Sequence, residues 1–293
     1  MKVTDRIKGG LYGVAVGDAL GGTTEFMTSN EIARKYGYLT DIIGGGVWSL
    51  EPGEVTDDTM MTLCVAEGIL DSPDNPVHAI GDRFMEWYKS NPKDIGNIIR
   101  LVLGTYRGDW FAAAIGADRA LGQSAGNGSL MRCLPAALSY SKLEDVVQVT
   151  RLQSAMTHYD ERCSQACEIY NRIAFRLLNQ AGCMREAIAH EIKGTDYGDV
   201  MTESGKPDCE PSGYVVHTFR WVLYILLTSD SFAEVVQKAA NLGGDSDTIG
   251  AIAGGLAGVY YGYDGIPKSY TEQILIKERL DRVSERITVL RTV

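Results

Sequence analysis

The chain lacks any apolar run near the ~20 residues that a membrane-spanning helix needs, so no span is expected. Its opening, Met1-Lys2-Val3-Thr4-Asp5-Arg6, meets charge again at once and lacks the apolar core of a signal peptide, which makes a cytoplasmic protein the expectation. A basic stripe is also missing. Against 28 Lys and Arg stand 38 Asp and Glu, a net charge of −10. Nucleic-acid binders displace phosphate counterions with a basic face, so no nucleic-acid partner is expected. The densest basic stretch, Lys277 to Arg291, alternates with Glu and Asp and reads as the solvated face of an amphipathic helix. No C-x-x-C occurs among Cys64, Cys133, Cys163, Cys167, Cys183 and Cys209, and Cys163 and Cys167 lack a partner pair at zinc-like spacing. All six read as reduced thiols, mostly packed as small apolar groups. No proline-rich linker or low-complexity tract divides the chain, and one domain over residues 1–293 is expected. The longest loop-like stretch of the second half runs from Gly194 to Gly213.

Alternation of β-branched and polar residues is scarce, and no strand–helix–strand rhythm appears. Helical periodicity is abundant instead. Ile7, Leu11 and Val14, widened by Ala15, form one apolar stripe. Ile169, Ile173 and Leu177 form a second; Val215, Phe219, Val222 and Ile225-Leu226 form a third. The expected fold class is all-α, a compact bundle of many helices. The 33 glycines are many for such a fold, because Gly costs about 1 kcal/mol relative to Ala in a helix interior. They cluster at Gly9-Gly10, Gly21-Gly22, Gly44-Gly45-Gly46, Gly126 with Gly128, Gly243-Gly244 and Gly254-Gly255. Some would permit close helix crossings, and others would let backbone approach a ligand.

Two distant segments share a pattern. Thr56-Asp57-Asp58-Thr59 follows Gly53 and precedes the helical run Met60 to Leu70. Asp245-Ser246-Asp247-Thr248 follows Gly243-Gly244 and precedes Ile249 to Tyr261. Helix capping accounts for one or two of these residues per helix. It does not require consecutive Thr-Asp-Asp, nor two acids after paired glycines. Four carboxylates brought together repel unless protonated or bound to cations, and hard oxygen ligands select Mg or Mn over zinc. Spacing alone leaves both readings open. An EF-hand fails, because its fifth and twelfth positions would be Ile249 and Leu256. No phosphate-loop or dinucleotide fingerprint is present.

The chain resembles the ADP-ribosylglycohydrolase family, and within it the bacterial dinitrogenase reductase-activating glycohydrolases. The resemblance rests on Gly13-Val14-Ala15-Val16-Gly17-Asp18-Ala19-Leu20-Gly21 with Glu25-Phe26, on Pro52 to Thr59, and on Asp94-Ile95-Gly96-Asn97. It continues with Gly126 to Pro135, Thr157-His158, and Gly243 to Gly250. The set spans almost the whole chain in consistent order, and its two acidic-threonine motifs make it specific.

The resemblance implies an all-α fold with a metal-containing cleft that holds two divalent ions, Mn or Mg. By matching position it implies Thr56, Asp57, Asp58, Asp245, Asp247 and Thr248 as metal ligands, with Glu25 at or near the metals. It implies Gly126, Asn127, Gly128, Ser129 and Met131 as the cradle for ADP-ribose, which suits the phosphate affinity of a glycine-rich helix start; read alone, Gly126 to Ser129 is a plain loop and N-cap. Asp94 and Asn97 would on their own be a helix cap and a solvated side chain. The resemblance puts Asp94 beside the scissile bond, where a carboxylate could hold a guanidinium or move a proton, and implies Glu25 as the second catalytic acid and Asn97 as a substrate-binding residue. His158, alone a structural histidine, is implied at the cleft wall, and Tyr214 near the ribose. Tyr159-Asp160-Glu161-Arg162 and Thr195 to Pro211 depart from the pattern and are expected on a protein-facing rim.

The implied activity is hydrolysis of the N-glycosidic bond of ADP-ribosyl-arginine on a modified protein, dinitrogenase reductase being one candidate. The products would be ADP-ribose and restored arginine. Rival readings are an ADP-ribosyl-serine or acetyl-ADP-ribose hydrolase on the same fold, or a non-catalytic ADP-ribose-binding or structural relative. Asp94 favours arginine, and the complete acidic-threonine motifs favour catalysis.

Overall fold

The computed structural model describes residues 1–179, 182–202 and 205–292; residues 203 and 204, inside the loop-like stretch 194–213, lie outside the described residues. The predicted helical periodicity is realised as fifteen α-helices among the described residues, with no strand beyond isolated bridges. They are α1 (Val3–Gly21), α2 (Ser29–Tyr36), α3 (Asp57–Asp71), α4 (Val77–Lys89) and α5 (Asn97–Thr105). Next come α6 (Trp110–Leu121), α7 (Leu134–Ser139), α8 (Leu143–Ala155), α9 (Glu161–Asn179) and α10 (Met184–Glu191). The chain continues with α11 (Val215–Leu227), α12 (Phe232–Leu242), α13 (Ser246–Tyr261), α14 (Lys268–Thr271) and α15 (Lys277–Thr292). Short 3₁₀ turns lie at Gly198–Met201 and Tyr263–Gly265. No helix among the described residues is long and apolar enough to cross a membrane.

Two helices that are apolar all round form the centre, as expected for buried helices. Residues Gly9–Gly21 of α1 and Ser246–Val259 of α13 are buried throughout. Their glycines fall every fourth residue and meet in antiparallel order, Gly9 opposite Gly258, Gly13 opposite Gly254, Gly17 opposite Gly250. A Cβ on Gly17 would stand 1.9 Å from the Gly250 carbonyl oxygen, and one on Gly13 would stand 2.1 Å from that of Gly254. Only bare backbone fits this crossing. The apolar stripes expected on α9 and α11 are buried, and side chains from Ile7 to Ile287 join one core.

The crossing sets where chemistry can occur. Because α1 and α13 run antiparallel in contact, the end of α1 meets the beginning of α13. Ser246 Oγ donates to Gly21 O at 2.9 Å, and Phe26 N and Gly244 N bond reciprocally across to Gly244 O and Met27 O at 2.7 and 2.8 Å. The loop after α1, with Glu25, is thereby laid against Asp245 and Asp247.

Candidate active site

The mouth of α3 is organised by an acid of another helix. Asp18, fully buried on α1, accepts the Thr56 N–H at 3.0 Å, the Thr59 N–H at 3.1 Å, and the Thr56 and Thr59 hydroxyls at 3.0 and 2.5 Å. These bonds consume the backbone donors that capping would otherwise satisfy. Neither Thr56, before α3, nor Asp245, before α13, makes a side-chain capping bond. Capping therefore does not explain the two motifs.

Instead they face each other. Thr248 Oγ1 donates to Asp58 Oδ2 at 3.3 Å, and the Thr56 hydroxyl reaches the same oxygen at 3.2 Å. Asp58 Oδ1 is buried without a hydrogen-bond partner among the described residues. Carboxylate oxygens of Glu25, Asp245 and Asp247 lie within 4.8 Å of one another. Trp48 Nε1 donates to Glu25 Oε2 at 2.5 Å and fixes that side chain. Asp57 accepts the Gly96 N–H at 3.2 Å, drawing the segment that carries Asp94 into the group.

Burial is the largest cause of every shift in this cluster. It pushes the Asp18 and Asp57 carboxyls up to about 6 and Glu25 to about 7, although hydrogen bonds from Thr59, Gly96 and Trp48 respectively pull the other way. Asp58 and Asp247 are raised well above the carboxylate range by burial and by neighbouring acids, and burial raises Asp245 as well. Asp94 is pushed up to about 9, by burial and then by the charges of Asp57 and Glu25. A cluster in which every acid resists ionisation, with one carboxylate oxygen left unpaired in the interior, fits hard divalent cations.

Above the cluster opens a cleft of about 1220 Å³. Glu25, Asp57, Asp94, Asn97, Gly126, Asn127, Gly128, Met131, His158, Tyr214, Asp245, Asp247 and Thr248 all line it. Thr56, Asp58 and Ser129 do not. Thr56 and Asp58 lie behind the lining, joined to it through Thr248. Ser129 is fully buried and its hydroxyl turns to Ser154 Oγ at 2.9 Å, so it offers the cleft no hydroxyl. Asn97 is the exposed first residue of α5, whose cap position is Gly96; Asp94 lies ahead of the helix and does not cap it.

The expectation of a glycine-rich helix start at Gly126 is corrected. The next helix begins only at Leu134, with Pro135 in its first turn. Residues 126–131 form turns, pinned by Asn127 N to Gly213 O at 3.0 Å and by a Gly126–Tyr214 bridge. The glycines are needed for packing. A Cβ on Gly128 would come within 2.9 Å of Ile99 and 3.0 Å of the His158 ring. His158 is buried and paired through Nδ1 with the Thr157 hydroxyl at 2.8 Å. Burial, then the Arg132 charge, lowers its pKa to about 3, so the ring is neutral. Asn127 joins the loop to the acids, donating to Asp245 Oδ2 at 2.5 Å and to Thr218 Oγ1 at 2.9 Å.

Three residues of this arrangement had no role assigned from sequence. Asp18 had a signal, a lone acid in an otherwise apolar run. Trp48 had none. Arg132 is fully buried and bonds Gln153 Oε1 at 3.0 Å and Thr157 Oγ1 at 2.7 Å, backing His158. Its signal was a charge inside the Leu130–Pro135 apolar stretch.

Residues 1–293 match the ADP-ribosylglycohydrolase family. The chain belongs to that family. An ADP-ribosyl-[dinitrogen reductase] glycohydrolase of Rhodospirillum rubrum is 36% identical over 281 residues, 94% of this chain and 92% of that protein. An ADP-ribosylarginine hydrolase of Serratia proteamaculans (strain 568) is 30% identical over 301 residues, covering 97% and 79% of the two chains. A solved structure titled ADP-ribosylglycohydrolase-related protein complex superposes with a TM-score of 0.85 at 30% identity, covering 99% of each chain. As a member of the ADP-ribosylglycohydrolase family the chain is an enzyme, a hydrolase of glycosyl bonds, and the family's all-α fold is the one described above.

Proposed function

We propose that this enzyme, acting as a single domain in the cytoplasm, hydrolyses the N-glycosidic bond between ADP-ribose and an arginine side chain of a modified protein, with two divalent cations, Mn or Mg. The observation that carries the reading is the convergence of two helix mouths on one buried acidic group, with Asp58 Oδ1 unpaired beneath it. Two of the relatives described above are named for release of ADP-ribose from arginine or from dinitrogen reductase, which supports the substrate class.

Asp57, Asp58, Asp245, Asp247, Thr56 and Thr248, with Glu25 beside them, would hold the cations. When bound, such cations supply charge to offset the carboxylates, orient ribose hydroxyls and acidify water. The loop Gly126–Asn127–Gly128 and Met131 would support the ADP-ribose, with His158 as neutral wall and Tyr214 near the ribose. Asp94 faces the cleft and resists ionisation. It would deliver a proton to the guanidino nitrogen as the bond to the anomeric carbon breaks, and recover one from the attacking water. The water oxygen then resides on the anomeric carbon, and arginine leaves as its guanidinium. The ionised form of Asp94 would also grip the guanidinium. Dinitrogenase reductase is one candidate protein substrate.

Release of ADP-ribose from an ADP-ribosyl-arginine peptide, with and without Mn, tests this. Cation-dependent release is expected. Binding without release would favour a non-catalytic ADP-ribose-binding protein.

A further inference from the structure

The glycine loop and the start of α9 are stitched together. Cys163 Sγ donates to Gly126 O at 3.2 Å, and Gly126 in turn is bridged to Tyr214. Arg162, the neighbour of Cys163, reaches Tyr214 Oη with Nη1 at 3.0 Å, its guanidinium carbon 5.5 Å from the tyrosine ring centroid. The other edge of its fork is held by Asp160, which accepts from Nε at 2.9 Å and from Nη2 at 2.6 Å. Asp160 also accepts the Arg162 backbone N–H at 2.9 Å.

Two observations set Arg162 apart. Among the described residues that line the cleft it is the one lysine or arginine, beside Glu25, Asp57, Asp94, Asp245 and Asp247. It also stands in the first turn of α9, where the helix dipole disfavours a cation, and its side chain is 50% exposed. The ion pair with Asp160 and the contact with Tyr214 offset that cost locally and leave the outer N–H groups unused. A guanidinium has N–H donors on three nitrogens, and the bonds to Asp160 and Tyr214 leave a further N–H on each terminal nitrogen.

We infer that Arg162 binds phosphate, gripping the diphosphate of ADP-ribose from the α9 side of the cleft while Asp160 and Tyr214 hold its fork in position. The inference rests on the glycohydrolase reading and adds to it a residue from a segment, Tyr159–Arg162, that departs from the family pattern. A doubly charged diphosphate entering an acid-lined cleft is repelled by every ionised carboxylate. A planar fork already locked along one edge presents the remaining N–H groups to phosphate oxygens with little ordering cost.

The test compares wild type, Arg162→Ala and Arg162→Lys in Mn buffer, by calorimetry with ADP-ribose, by inhibition with adenosine, and by turnover of ADP-ribosyl-arginine. Arg162→Ala is expected to raise the ADP-ribose Kd and the KM together by about tenfold, the scale of one charge-assisted contact. It should shift kcat far less and leave adenosine inhibition where it was. Arg162→Lys, which keeps charge and loses the fork, should fall between. An unchanged ADP-ribose Kd in Arg162→Ala would overturn the inference, and so would equal weakening of adenosine. Wild type that turns over while Arg162→Ala keeps its KM sinks this inference alone. Wild type that neither binds ADP-ribose nor releases it sinks the glycohydrolase reading as well.

Discussion

Asp18 on α1 accepts both the hydroxyl and the backbone N–H of Thr59 on α3, at 2.5 and 3.1 Å. One buried carboxylate thus fixes the angle at which α3 presents Asp57 to the cleft and Asp58 to the acidic group behind it. The sequence places Asp18 four residues before Gly22, and the glycine crossing of α1 with α13 brings it beside the second motif.

Asp18 is consequently a positioning residue. Asp18→Ala removes the acceptor of the buried Thr56 N–H and of both Thr59 donors, while the Thr56 hydroxyl keeps Asp58 Oδ2, which costs about 1–3 kcal/mol for the unsatisfied groups. Thermal melting should register that loss. Cation affinity, measured by titration calorimetry, should fall with it although Asp18 touches no proposed ligand site directly except through Thr56. Wild-type cation affinity in a folded Asp18→Ala protein would contradict the role.

The crossing itself is testable. Gly17→Ala places a methyl 1.9 Å from the Gly250 carbonyl oxygen, where neither helix can retreat without opening the core. Overpacking of this kind costs roughly 1–3 kcal/mol or more. Melting should drop accordingly, whereas Gly116→Ala, inside α6 with open space around it, should raise it slightly, because Ala is favoured over Gly in a helix interior.

The acids dictate a pH dependence of stability in cation-free protein. Burial pushes Asp18 and Asp57 up to about 6, Glu25 to about 7 and Asp94 to about 9, all above the ordinary carboxylate range. Raised values mean that the folded chain binds more protons than the unfolded chain between those limits, so stability falls as pH rises. In the presence of chelator, the melting temperature at pH 5 should exceed that at pH 8. Mn at pH 8 should recover the difference, because ligand binding to the folded state stabilises it. A melting temperature that is flat over this range would contradict the raising of these acids by burial.

Asp245 and Asp94 should separate by function. Asp245→Ala is expected to lose cation binding and turnover together. Asp94→Asn should keep cation and ADP-ribose binding while losing turnover, since the amide cannot pass a proton. Normal turnover of ADP-ribosyl-arginine by Asp94→Asn would remove Asp94 from the chemistry.

The two acidic-threonine motifs were legible in the sequence because consecutive acids with threonine exceed what capping requires. The α-helical class was legible because apolar residues repeat at three and four. The glycine spacing announced close crossings, yet not which helices cross, since that pairing joins residues about 240 positions apart. The role of Asp18 was hidden, because its partners lie on another helix and include backbone N–H groups. The direction of the Ser129 hydroxyl was hidden for a similar reason. Turns rather than a helix follow Gly126, and α9 supplies Ser129 with a buried neighbour in Cys167.

The leaving group supplies the most direct measurement, the ratio of specificity constants for matched arginine- and serine-linked ADP-ribosyl peptides in Mn buffer. A charge-assisted pair between Asp94 and the guanidinium is worth roughly 1.5–3 kcal/mol, and each ~1.4 kcal/mol is tenfold in rate if the contact persists in the transition state. The arginine peptide should therefore be favoured by about ten- to a hundredfold, chelation should abolish release, and Asp94→Ala should shrink the ratio. Equal constants for the two peptides, or full release after chelation, would contradict the account.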